Sequence, residues 1–283
     1  MERVRDASVL TMGWVRLSVG VLAIVAAYAP IFPPLAEEWA SFSYLSHGFA
    51  IPLITSYFVW KRYREIRGIA PVPSWAGWPV AAGGLALYTI GTLGGEPFLA
   101  RLSFVLTLLG TVLLLGGMSV AKEFFPGIAF LVFMIPLPYV TLKDLAVQAR
   151  QFEAMVTATV LPWLGVPVFR EGFLLHLPNI TLEVAEECSG ISAIAVLLAL
   201  GAAYGYVHGR SRVVCMTLLL SAVPLGLTSN LVRIIATAAA AYYLGPVAIN
   251  NFIHTSSGTT VFLMTLGALM LLDLKLSRLQ LEG

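Results

Sequence analysis

The chain has 283 residues, 58% of them hydrophobic and 11% charged, with a mean hydropathy of +0.86. Soluble globular chains carry about 25% charged residues, so this composition excludes a water-soluble domain, a disordered chain and a nucleic-acid binder. The net charge of +2 says little about partners; the placement of the charges along the chain says more.

A helix needs about 20 apolar residues to cross about 30 Å of hydrocarbon. In chain order the apolar runs predict eight spans, at about 14–31, 47–60, 77–93, 98–120, 124–138, 189–207, 213–244 and 247–272. The second and fifth are short. The seventh is long and contains Pro224 and Gly226, which predict either a bend or an extension beyond the bilayer. The first has a second reading. Arg3, Arg5 and Arg16 precede an apolar run ending in Ala27-Tyr28-Ala29, similar to a signal-peptidase site. Because everything downstream is also apolar, an uncleaved first span is the expectation.

Basic residues orient the chain. With the N-terminus in the cytoplasm, the inner segments hold Arg3, Arg5, Arg16, Lys61, Arg62, Arg64, Arg67, Lys122, Arg210, Arg212, Lys275 and Arg278, twelve of the 17 Lys and Arg residues. The outer segments hold Lys143, Arg150 and Arg170, and Arg101 and Arg233 are left at membrane depth. This asymmetry places both termini in the cytoplasm.

The segment 139–187, between spans five and six, has no run long enough to cross. Over 141–161, Leu142, Leu145, Ala146, Phe152, Met155 and Val156 recur at helical spacing, which predicts a helix lying on the membrane surface. Over 166–184 the alternating stretches VFREGFLLHL and ITLEVAEE flank Pro178-Asn179 and predict a small β-hairpin. The expected fold is therefore an all-α polytopic membrane protein of about eight transmembrane helices. It forms a single integral membrane domain over 1–283, with an extracytoplasmic insertion at 139–187.

Ionisable groups at membrane depth are costly and so are functional candidates. Arg233 lies about 11 residues before the outer end of the seventh span, and His254 about seven residues into the eighth. Cys188 sits at the outer start of the sixth, where a helix N-terminus favours thiolate. Glu186 and Glu187 oppose that charge unless a cation such as Arg233 compensates, while Ser189-Gly190 permits close backbone approach. A thiol, an imidazole and a guanidinium suffice for acyl transfer. Each also has a plainer reading: a small packing residue, a carbonyl-bonded histidine, an arginine reaching lipid phosphate. Cys215, near the inner face, fits the packing role. There is no HExxH and no GxSxG, and Asp6, Asp144 and Asp273 do not form a pair within a span. His47, His176, His208 and His254 show no ligand spacing, so neither metal nor cofactor is expected.

Five pieces carry a resemblance: SYLSHGFAIPLI (43–54), FMIPLP (133–138), EECSGISAI (186–194), NLVRIIA (230–236) and FIHTSSG (252–258). In this order they resemble the exosortase family, membrane-embedded cysteine transpeptidases of bacteria. The resemblance implies a catalytic trio of Cys188, Arg233 and His254, with Glu187, Ser189, Asn230 and His47 as supporting residues. It implies as substrates exported proteins that end in a Pro-Glu-Pro motif, a transmembrane helix and a basic tail (PEP-CTERM signals). These would be cut at the periplasmic face of the inner membrane and passed to an acceptor nucleophile, or to water. Membrane lipid is the other expected partner, and exopolysaccharide production the implied setting. A non-enzymatic transporter or assembly factor for polysaccharide or lipid is the alternative.

Overall fold

A computed structural model of the chain describes residues 2–184, 190–245, 260 and 263–276, and most of them are helical. Among the described residues, three helical runs are long and apolar enough to cross a membrane, at Leu10–Ala27, Pro97–Met134 and Val213–Leu244, with a shorter apolar helix at Ala193–Val207. The chain divides into two units, Met1–Pro138 and Tyr139–Gly283.

In the first unit, α1 (Glu2–Ala27) and α2 (Phe32–Ser41) are joined through a 3-10 turn. A second 3-10 turn, Ser43–Phe49, leads into α3 (Ala50–Ile66), followed by α4 (Gly77–Leu93), α5 (Pro97–Phe130) and a 3-10 turn at Leu131–Met134. Lipid provides no hydrophobic force between helices, so close backbone approach must hold them. Helix α4 meets α5 through Gly77, Ala81 and Gly84. A Cβ at Gly77 would strike the Leu114 backbone, one at Gly84 the Thr107 backbone, and one at Gly110 the Ala81 backbone.

The fourth and fifth expected spans differ from the structure. The sequence places their boundary at the charged Lys122-Glu123, but both residues lie inside α5, and Glu123 is ion-paired with Arg62, Oε2 3.1 Å from Nε. The helix breaks instead at Gly117, with φ 77° and ψ 179°, where the Val72 carbonyl oxygen occupies the place of a Cβ. Arg101, at expected membrane depth, is 5% exposed and forks onto Glu38 of α2, its two terminal nitrogens donating at 2.8 and 2.6 Å. Tyr28, also buried, shares a hydrogen bond of 2.8 Å with Thr107 of α5.

In the second unit, α6 (Tyr139–Val160) and a 3-10 turn (Leu161–Leu164) precede β1 (Phe169–Glu171), β2 (Leu174–His176) and β3 (Thr181–Glu183). Then come α7 (Gly190–Val207), α8 (Arg212–Leu244) and a helical stretch over 263–276. The expected hairpin is a three-stranded antiparallel sheet in the order β1-β2-β3, pairing Arg170 with Leu175 and Leu175 with Leu182. The extra strand arises because both breaks turn the chain: Gly172, at φ 62°, between β1 and β2, and Pro178-Asn179 between β2 and β3. Helix α8 runs unbroken through Pro224 for 33 residues. That is about 50 Å, longer than about 30 Å of hydrocarbon. Ser211 caps its start, accepting from the Val214 N–H at 3.3 Å.

Helix α6 forms where the spacing predicts it. Its large apolar residues Leu145, Phe152 and Met155 are exposed, and the face turned into the unit is small and polar: Ala146, Glu153, Ala154 and Thr157 are buried. The exposed side also carries Lys143, Asp144, Gln148, Gln151 and Thr159, the mixed composition of a helix at a membrane interface.

Candidate active site

Helix α8 supplies the described part of the site. Arg233 is half-buried and lines a cleft of about 250 Å³ between α8 and the sheet, together with Leu175, Thr181, Glu183, Val184 and Thr237. Three residues earlier on α8, Asn230 is buried, and its Nδ2 donates to Glu153 Oε1 of α6 at 2.8 Å.

The sheet is held against both helices. Ala154, Leu175 and Val184 form one apolar cluster that also packs Ile234; Leu161, Val166, Leu177, Ala238 and Ala241 form another. At the β2–β3 turn, Asn179 Nδ2 donates to the carbonyls of Ala241 at 3.0 Å and Tyr242 at 3.2 Å in the last turn of α8, where the Ala241 carbonyl also accepts the Gly245 N–H. Tyr243 donates to the Leu164 carbonyl at 2.7 Å. One wall of the cleft is therefore a helix carrying a guanidinium. The other is a pinned strand whose chain continues through Val184 toward Glu186, Glu187 and Cys188.

Of the residues singled out in the sequence, Arg233 and Asn230 stand on adjacent turns of α8. His47 belongs to the first unit, in the turn Ser43–Phe49, where its carbonyl accepts the Ala50 N–H. Cys188, Glu187, Ser189 and His254 lie outside the described residues.

Two buried carboxylates were not legible in the sequence. Glu153 is one. Asp273, fully buried, is the other: it accepts from Arg210 at 2.6 Å and from Tyr204 at 3.2 Å, and this tie raises the pKa of the Arg210 guanidinium above its ordinary value. The usable signal for Glu153 was a polar repeat at helical spacing, Arg150, Glu153 and Thr157.

The sequence pattern of the family described as transmembrane exosortase matches residues 39–271. The chain belongs to the transmembrane exosortase family. The match takes in all five sequence pieces, the cleft and Glu153, while Asp273 lies just beyond it. No curated protein and no solved structure matches this exosortase-family chain.

Proposed function

We propose that this chain is a membrane-embedded cysteine transpeptidase or protease that cleaves C-terminal PEP-CTERM-type sorting signals of exported proteins. In this reading eight spans place both termini in the cytoplasm and the site at the periplasmic face of the inner membrane. The family match supports the chemistry, and the observation that carries the site is Arg233 lining a cleft whose opposite wall leads to Cys188. Val184, on that wall, is four residues from Cys188, at most about 14 Å of extended chain.

The Cys188 thiolate attacks the scissile peptide carbonyl, forming a C–S bond. Arg233 donates to the developing oxyanion, which a planar two-pronged cation suits. Collapse breaks the C–N bond, and the leaving amine takes a proton from His254. The resulting thioester is attacked by an acceptor nucleophile or water, which gives its proton to His254 as the thiolate departs. Glu187, Ser189, Asn230 and His47 support these groups.

The test is coexpression with a candidate substrate protein and mass spectrometry of its new C-terminus. Cleavage near the Pro-Glu-Pro motif, lost in Cys188→Ala at equal protein level, is expected. Unchanged cleavage in that variant would instead favour a transporter or assembly role.

A further inference from the structure

Glu153 is 1% exposed, on the buried side of α6 with Ala146, Ala154 and Thr157. Burying an ionisable carboxylate carries a desolvation cost that a structural pin between two helices does not require, since paired amides would hold them at lower cost. What a carboxylate does that an amide cannot is accept hydrogen bonds without donating any. With Glu153 ionised, Asn230 presents Nδ2 to the carboxylate, the contact seen at 2.8 Å. That orientation turns Oδ1 away from Glu153 on the helix turn before Arg233.

The same helix grips the other wall of the cleft. Arg150, one turn before Glu153, lies over the Phe173 ring at 4.7 Å. The Phe173 carbonyl accepts the Val184 N–H at 3.0 Å. Helix α6 thus touches the Arg233 helix through Glu153 and, through Arg150, the residue Phe173 whose carbonyl holds Val184 on the chain leading to Cys188.

We propose that Glu153 is a positioning residue for the thiol chemistry: it locks the Asn230 amide in one orientation and so sets the turn of α8 that presents Arg233 to the cleft. The inference rests on the reading of Cys188 as nucleophile and Arg233 as the cation that serves its thiolate and oxyanion.

The test uses the full chain reconstituted in lipid nanodiscs with a protein ending in a Pro-Glu-Pro motif, a transmembrane helix and a basic tail. Glu153→Gln matches the native residue in size but lets Asn230 face it either way. Glu153→Asp is shorter but keeps the acceptor-only chemistry. If orientation matters, Glu153→Gln lowers kcat by about tenfold or more with KM unchanged, and Glu153→Asp retains more activity than Glu153→Gln. Asn230→Ala shows a similar loss, and the double variant Glu153→Gln/Asn230→Ala is no slower than the slower single variant. The pH profile for alkylation of Cys188 by iodoacetamide shifts in Glu153→Gln, a readout that needs no substrate.

Three results overturn the proposal: wild-type kcat and alkylation profile in Glu153→Gln; better activity in Glu153→Gln than in Glu153→Asp; or losses that multiply in the double variant and follow thermal stability. Cys188→Ala separates the two levels. Processing that survives it removes the cysteine mechanism itself, whereas processing lost there but intact in Glu153→Gln removes only the role of Glu153.

Discussion

Helices α4 and α5 of the first unit meet through Gly77, Ala81, Gly84 and Gly110, backbone against backbone. Helices α6 and α8 of the second unit meet through Glu153 and Asn230, both buried and hydrogen-bonded to each other. The first seam needs only surfaces that fit, because close packing is enough to hold helices in lipid. The second carries a desolvation cost that packing alone does not require. Under the proposed function, that contrast assigns the α6–α8 seam to the site and the α4–α5 seam to the scaffold.

The largest expected effect lies beside the polar seam. Arg233→Lys keeps the charge but loses the planar fork, so processing should fall by about 10²-fold or more while the protein still accumulates. A lysine variant with wild-type turnover would reduce Arg233 to a source of charge.

Next comes the scaffold seam. Gly110→Leu would drive a side chain into the Ala81 backbone, and overpacking of this kind costs about 1–3 kcal/mol or more. A clear fall in the thermal midpoint of the detergent-solubilised protein is expected. A midpoint unmoved by leucine at 110 would mean that the α4–α5 seam is loose, and the contrast between seams would fail.

Arg210→Gln removes the partner of the fully buried Asp273 and should also lower the midpoint. The sign of the pH dependence follows from the raised pKa of Arg210. Its stabilisation is complete below the unfolded-state value and is lost only as pH rises through the higher folded one. The deficit of the variant should therefore stay constant between about pH 6 and pH 9, measured as midpoint against pH. A deficit that disappears within that window would show a different group titrating.

The smallest effect should come from Phe152→Ser, on the exposed stripe of α6. In detergent its stability should change by less than about 0.5 kcal/mol. A larger loss would show that the stripe packs against protein and that α6 is not a lipid-facing helix.

Much of this contrast was hidden in the sequence for definable reasons. The glycines of α4 are visible, but the mate of Gly84, Thr107, is not, because spacing along one helix does not name the partner helix. Arg233 stood out as a charge in an apolar run. Glu153, in QFEAMVTATV, did not, because its helix also carries charges near its start and reads as a surface helix in which one carboxylate is unremarked. The break in α5 was placed at Lys122-Glu123 by charge and falls at Gly117 by backbone geometry, since two charges at a helix end can reach partners such as Arg62 without breaking the helix.

By itself the sequence determined that this chain lives in a membrane, because composition and run length settle which solvent its residues can tolerate. It also determined the order of the family's motifs and the helical period of α6. Which face of α6 turns inward was decided only by the tertiary structure. In water an apolar stripe must be the buried one; in lipid the same stripe is equally at home outside, so periodicity reveals two faces and leaves their assignment open. Packing against α8 and the sheet resolves it, placing Glu153 against Asn230 and leaving Leu145, Phe152 and Met155 on the exposed side.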